Sequence, residues 1–334
     1  TYASVNLAVQ VSKVNKKTFH LAGLINALSR KTVTKKKSKI YMKKPFVDKN
    51  LKNILTKTYG KDTVIQIEKT LKDKPPIDLT LKTVTDHLFW SKKLKATILP
   101  SKSLRIYNQV QISALPGYLE GEWWVQDASS ALPVKFLKML GDKEVLDLCA
   151  APGGKTMQLC SQGANVTSLD VSEKRFQRFD ENLNRTGYKV KKIVKNILNF
   201  QSYNVYDIVL LDAPCTASGT IRRNVDLQYL NPLGRLKSLV DIQEKLILKA
   251  ANWVKPGGRL LYSTCSLLKC EGEDQIKKFL NQNSFWEQVL LRPSDLGLGQ
   301  EWSDKNGNIR ITPDCWSELG GMDGFFIAVL RRVK

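Results

Sequence analysis

The chain has 334 residues, 42% of them hydrophobic; at roughly 100 to 200 residues per domain this predicts two or three domains with full cores and excludes disorder over most of the length. Six cysteines without a CxxC pair or a Cys/His cluster at zinc-ligand spacing exclude a disulfide scaffold and a zinc module, and no apolar run reaches the roughly 18 residues of a membrane span, so a cytoplasmic protein with reduced thiols, no metal and no membrane partner is expected. Against 31 Asp and Glu stand 53 Lys and Arg, a net charge of +22 that attracts polyanions, nucleic acid first among them.

The surplus is uneven. Residues 1–100 hold 22 basic and 6 acidic side chains, a net of +16, leaving 31 against 25 for the remaining 234. RNA or DNA contact competes here with a background Lys-rich composition, which would produce the same bias without a partner. In chain order, Val5, Ala8 and Val9, then Leu21, Leu24, Ile25 and Leu28, recur at helical spacing. Two short helices cannot bury those faces alone, and the chain starts at Thr1 with no Met, so a longer helical domain that has lost its beginning is expected. Lys31, Lys35, Lys36, Lys37, Lys39, Lys43 and Lys44 predict a solvated linker or basic arm, which completes a first segment over 1–44. Pro45 opens the next. Helical periodicity returns through Leu51, Ile54, Leu55, Val64, Ile65, Ile67 and Leu71, Pro75 and Pro76 stop it, and short strands follow at Leu79, Leu81 and Ile98, Leu99. A small α+β unit is expected over 45–120.

Over 121–334 the pattern becomes strands alternating with helices. The runs Val145 to Cys149, Val166 to Leu169, Val190 to Val194, Ile208 to Leu211 and Leu260 to Tyr262 are short and apolar, and each precedes a turn signal and a helical stretch. This predicts an α/β fold with a doubly wound, mostly parallel sheet, whose ligands sit beyond the carboxyl ends of its strands.

Four strand ends carry chemistry. Asp147-Leu148-Cys149-Ala150-Ala151-Pro152-Gly153-Gly154-Lys155-Thr156 is a glycine-rich turn into a helix, which brings backbone N–H groups close to a ligand. Position 149 is Cys where a phosphate-binding loop needs Gly, and GxGxxG is absent, so nucleoside triphosphate and NAD sites are disfavoured. A ligand-free tight turn is the alternative. Asp170, about twenty residues on, can accept hydrogen bonds from ribose hydroxyls or cap the helix starting near Ser172. Leu211-Asp212-Ala213-Pro214-Cys215 and Tyr262-Ser263-Thr264-Cys265-Ser266 then put a thiol at the end of two neighbouring central strands. One such Cys is ordinarily a buried hydrophobe, but two beside a glycine turn point to chemistry. Cys160, Cys270 and Cys315 are assigned to packing or surface.

The set DLCAAPGGKT, DAPC and YSTCS, with GYLEGEWWVQDASS (Gly117 to Ser130) upstream and GGMDGFF (Gly320 to Phe326) near the end, resembles the RsmB/NOP2/Sun family of S-adenosylmethionine-dependent RNA cytosine-5 methyltransferases over about residues 45–332. Residues 1–30, with HLAGLINALSR at His20 to Arg30, resemble the end of a NusB-like RNA-binding helical domain, which belongs to the RsmB branch acting on small-subunit (16S) ribosomal RNA. The resemblance implies a class I, Rossmann-like sheet with S-adenosyl-L-methionine as cofactor. It assigns Cys149, Ala150, Ala151, Pro152, Gly153, Gly154 and Lys155 to the methionine part of that cofactor, Asp170 to its ribose and Asn196 to its adenine end. Cys265 becomes the nucleophile at C6 of cytosine, Asp212 the contact to the base near N3, and Cys215 the thiol that assists proton removal and release. The target base must be single-stranded or extruded to be reached. Arg222 and Arg223, just beyond DAPC, are expected to hold flanking phosphates, with a solvated turn as the alternative. Trp123 and Trp124 fit packing at least as well as base stacking.

Three positions depart from the family pattern: Asn196 stands where Asp is usual, Ala217 replaces a Gly, and Val225 replaces a Pro. The rivals to ribosomal RNA methylation are the same chemistry on transfer RNA and a non-catalytic RNA-binding assembly factor. Nothing in the sequence demands more than a monomer.

Overall fold

The computed structural model describes residues 2–14, 16–34, 47–83, 85–108, 110–228 and 232–334. They form two compact units, one up to Pro45 and one from Phe46 onward. In the first, α1 (Tyr2–Val14) packs against α2 (Ala22–Thr34), with Val5 buried and Leu7, Val11 and Leu24 exposed. Lys35 to Lys44 of the expected basic arm lie outside the described residues.

The second unit opens with α3 (Lys49–Tyr59), whose N-cap Asp48 accepts hydrogen bonds from the Asn50 and Leu51 amides, and α4 (Lys61–Thr70). Gly60, at φ 84°, turns the chain between them in a conformation that L side chains rarely adopt. Leu51, Leu55, Val64, Ile67 and Leu71 cluster with Ile221, Leu267 and Leu268. The helix pair thus backs the loops that follow the two cysteine motifs.

Next come β1 (Ile77–Leu81), α5 (His87–Leu94), β2 (Thr97–Ile98), β3 (Leu104–Ile106) and β4 (Trp123–Val125). They build an antiparallel sheet in the order β2-β3-β1-β4. Because Leu81 pairs with Trp123 and Leu79 with Val125, this sheet closes beyond the expected boundary at residue 120. Trp123 and Trp124 are fully buried, their indole N–H groups donating to the Pro116 carbonyl and to Gln126 Oε1. Both serve packing.

After α6 (Ala128–Phe136) come β5 (Glu144–Leu148), α7 (Gly154–Ser161), β6 (Asn165–Asp170), α8 (Glu173–Thr186), β7 (Lys191–Val194), β8 (Tyr206–Asp212), α9 (Leu236–Ala251), β9 (Val254–Thr264), α10 (Glu273–Gln282), β10 (Trp286–Gln288), β11 (Ile309–Ile311) and β12 (Phe325–Arg332). The large sheet runs β10-β12-β9-β8-β5-β6-β7, with β11 paired to β12. Strands β5 to β9 are parallel, and β12 is antiparallel to β9. Both faces are buried: Leu210, Leu261 and Val329 enter one core cluster, Val209, Leu211, Leu260 and Tyr262 the other. That explains the near-continuous apolar runs. The result is the expected doubly wound, Rossmann-like sheet. Strand order reverses beside β5, between β6 and β8, which puts the crevice at the end of the glycine-turn strand.

Candidate active site

From β5 the chain enters the glycine turn through Cys149, at φ 60°, and Gly153, at φ 102°, which caps α7. A Cβ on Gly153 would come within 3.0 Å of the Phe179 ring, so the close approach as well as the dihedral requires glycine. Asp170 steadies this loop. Its Oδ2 accepts from the Ala151 amide at 3.2 Å, its Oδ1 from the Ser172 amide at 3.0 Å, and Arg175 pairs with it at 3.1 Å while also donating to the Ala151 carbonyl. The cap of α8 is Ser172, whose Oγ accepts from the Arg175 amide at 3.2 Å, so Asp170 does not take the capping role weighed for it.

Beside the turn lies a cavity of about 570 Å³, to which Cys149, Ala150, Ala151, Pro152, Gly154, Lys155 and Asp212 contribute lining. Gly153, Asp170 and Asn196 are outside that lining; Asn196 Oδ1 accepts from the Leu198 amide at 2.9 Å and caps a short 3₁₀ turn. Asp147 also faces the cavity. It is fully buried, its Oδ2 accepts from Thr156 at 2.6 Å, and its Oδ1 has no partner. Burial pushes this carboxyl up to about 7. An orphaned buried acceptor in a cavity of ligand size suits a cationic or N–H-bearing ligand, and the ammonium of an S-adenosylmethionine fits that requirement.

Parallel pairing of β8 and β9 sets Asp212 opposite Ser263. Asp212 Oδ1 accepts from Ser263 Oγ at 2.9 Å, and Asp212 Oδ2 pairs with Lys155 Nζ at 2.7 Å. Three residues beyond Asp212, Cys215 Sγ lies 3.5 Å from Cys265 Sγ. The Cys215 thiol is pushed well above its ordinary value, first by this contact with Cys265 and then by burial. Burial, reinforced by Asp212 and Asp170, raises the Cys149 thiol, and burial raises Cys160 to about 12 and Cys315 to about 11. These thiols are neutral at physiological pH.

Residues 134–331, which contain the glycine turn, both thiols and all but the final residue of the last strand, match the model of the family described as 16S rRNA methyltransferase RsmB/F. The chain belongs to this family. It is 34% identical over 229 residues to "Ribosomal RNA small subunit methyltransferase B" of Shewanella oneidensis, covering 66% of this chain and 50% of that protein. The chain spans about half the length of the curated relatives it matches. Among solved structures, PH0851 superposes with a TM-score of 0.79 at 26% identity, covering 97% of this chain and 75% of that one. A methyltransferase homolog protein from Pyrococcus horikoshii superposes with a TM-score of 0.68 at 28% identity, covering 84% of this chain and 93% of that one.

In this RsmB/F-family chain the two arginines expected at flanking phosphates differ: Arg222 is buried in ion pairs, whereas the Arg223 side chain stays 26% exposed. Arg222 Nε pairs with Asp323 at 2.8 Å, and its other nitrogens donate to the Gly320 carbonyl and approach Asp127 at 3.4 Å; only 1% of the side chain is exposed. Arg223 pairs with Asp127 at 2.6 Å and Asp323 at 3.1 Å. Two arginines facing two buried aspartates satisfy one another, so their guanidiniums tie Asp127 of the QDASS segment to Asp323 of GGMDGFF instead of reaching outward. Burial opposes ionisation of Asp127, but Arg223 and Arg222 outweigh it and hold that carboxyl well below the usual range.

The most buried acid near the thiols, Glu271, escaped the sequence reading. It precedes Glu273 and Asp274 at the start of α10, where acids ordinarily complement the helix dipole in solvent, and no local pattern distinguishes a buried acid from its exposed neighbours.

Proposed function

We propose that this chain transfers a methyl group from S-adenosylmethionine to C5 of a cytosine in ribosomal RNA, with 16S rRNA the substrate, through a covalent adduct between Cys265 and C6. The observation that carries this reading is the 3.5 Å contact between Cys215 and Cys265, with Cys215 three residues beyond Asp212, which lines the cavity. A redox or structural thiol pair would not require a carboxylate at a neighbouring strand end or a ligand-sized cavity next to it.

C5 of cytosine is a poor nucleophile. Addition of the Cys265 sulfur to C6 makes C5 enamine-like and divides one hard step into easier ones. Bound S-adenosylmethionine supplies the electrophilic methyl group. The loop from Cys149 to Lys155 would hold its methionine part, with Asp147 Oδ1 accepting from the ammonium; Asp170, which ends β6, and Asn196, which follows β7, would serve its ribose and adenine ends. Asp212, steadied by Lys155 and Ser263, would contact the base near N3 and stabilise the charge that shifts there on addition. Cys215 would assist loss of the C5 proton, after which the Cys265–C6 bond breaks. RNA backbone binding would fall to the basic N-terminal third, where +16 of the charge lies.

Incubation with labelled S-adenosylmethionine and small-subunit RNA tests the reading: label should enter 5-methylcytosine, and its complete absence would overturn it. Label entering transfer RNA in preference would favour the same chemistry on that substrate.

A further inference from the structure

We propose that Glu271 is a positioning residue, whose buried carboxylate joins the loop carrying Cys215 to the loop carrying Cys265 and thereby sets the spacing of the two sulfurs. The inference rests on the reading of those cysteines as nucleophile and release thiol. Glu271 is 0% exposed and, among the described residues, no Lys or Arg pairs with its carboxylate; hydrogen bonds satisfy it. Oε1 accepts from the Thr216 amide at 2.9 Å and from Gln243 Nε2 at 3.0 Å. Oε2 accepts from Thr216 Oγ1 and Ser266 Oγ, each at 2.5 Å. Thr216 directly follows Cys215 and Ser266 directly follows Cys265, so one carboxylate grips the residue next to each thiol.

Further bonds extend the grip. The Glu271 carbonyl accepts from Tyr262 Oη at 3.0 Å and Thr264 Oγ1 at 3.2 Å, both on β9. Gln243 Nε2 also donates to the Pro214 carbonyl at 2.8 Å, on the other side of Cys215. The Gly219 amide donates to the Cys265 carbonyl at 2.9 Å, linking the same two loops directly. The loops are also joined by the Leu267 amide donating to Ser218 Oγ at 3.0 Å and by the Ser218 and Ser266 hydroxyls at 3.2 Å, but neither loop belongs to the sheet ladder at its thiol, and Glu271 is the group that bonds the residue next to each sulfur with full-strength acceptors. Removing the carboxylate would also leave four buried donors to find new partners, which favours rearrangement of both loops.

Glutamine separates positioning from charge. Oε1 receives only N–H donors and Oε2 only hydroxyls. A glutamine oxygen can take the first place, and its NH₂ the second, because hydroxyls can reverse and accept. Glu271→Gln should therefore keep the spacing, and Glu271→Ala should lose it.

The first measurement needs neither RNA nor cofactor. Diamide joins two adjacent thiols: they lose two electrons and two protons to its N=N bond, which becomes a hydrazine, and a disulfide forms. The rate of Cys215–Cys265 linkage, followed by peptide mass, should be high in the wild type and in Glu271→Gln and at least roughly tenfold lower in Glu271→Ala, since a disulfide requires close and correctly directed sulfurs. Thr216→Val, which removes one hydroxyl donor and leaves the rest, should fall between and covers the case in which Glu271→Ala does not fold. The second measurement is methyl transfer, where Glu271→Ala should lower kcat about 100-fold with little change in cofactor KM, while Glu271→Gln stays within about threefold of wild type. Linkage at the wild-type rate in both Glu271→Ala and Thr216→Val would overturn the proposal, as would a Glu271→Gln variant as slow in linkage as Glu271→Ala. If linkage rates separate as expected but the wild type transfers no methyl group to any RNA, the positioning role stands and the methyltransferase reading fails.

Discussion

Cys215 and Cys265 touch through their sulfurs at 3.5 Å although 50 positions separate them in sequence. The proposed reaction gives the two sulfurs different roles, nucleophile for Cys265 and release thiol for Cys215. Two distinct phenotypes are expected from one pair. Cys265→Ala should abolish methyl transfer, since no other thiol among the described residues touches Cys215. Cys215→Ala should instead form the adduct and fail to release it, leaving a denaturation-resistant protein–RNA band on gels. Absence of that band, with the variant folded, would count against the release role.

Asp147 predicts a pH dependence of the ligand-free protein. Burial raises its folded carboxyl from an ordinary 3.8 to about 7, so the folded state holds a proton that the unfolded state has lost between those values. Stability from this group is consequently full below about pH 4, declines as pH rises to about 7, and stays low beyond. Asp147→Asn removes the titration and keeps an acceptor for Thr156. Its unfolding free energy relative to wild type should therefore improve from pH 5 to pH 8, by an amount on the order of 2 kcal/mol. Urea unfolding at the two pH values checks this, and an unchanged difference would show that Asp147 does not titrate there. The same variant should bind S-adenosylmethionine more weakly at pH 8.

Ala217 occupies φ 55°, a left-handed conformation that L side chains rarely adopt. The position follows Thr216 and opens the short turn Ser218–Thr220. Because a Cβ is strained there, Ala217→Gly should stabilise the protein by about 1 kcal/mol, partly offset by the greater freedom of glycine in the unfolded chain. A higher urea midpoint at constant m-value is the expected outcome.

Arg222 and the N-terminal basic segment should separate in their effects on RNA binding. Arg222→Ala leaves Asp127 and Asp323 with Arg223 alone and should cost roughly 3–5 kcal/mol of stability, with no change in the salt slope of RNA affinity. Deleting residues 1–44 should flatten that slope while the cofactor site persists. Reversed outcomes, a flatter slope for Arg222→Ala and an unchanged one for the deletion, would return the phosphate role to the arginine and the basic bias to background composition.

Five parallel strands and the glycine turn were legible because each is a local property: Val145, Val166 and Ile208 stand in short apolar runs whose length and bounding turns are written in adjacent residues. The thiol positions were legible for the same reason, since a doubly wound sheet places Cys215 and Cys265 at neighbouring strand ends once strands are assigned. The family pattern supplied their roles and those of Asp212. Sequence alone thus determined the sheet, the end of it that carries the cavity, and the residue types gathered there. The tertiary structure decided which charges face solvent. Arg222 and Glu271 have the same local appearance as exposed residues, but Arg222 meets Asp323 across 101 positions and Glu271 meets Thr216 across 55. Burial of an ionised group is stable only when distant partners satisfy it, so neither spacing nor composition along the chain can reveal it before the chain has folded.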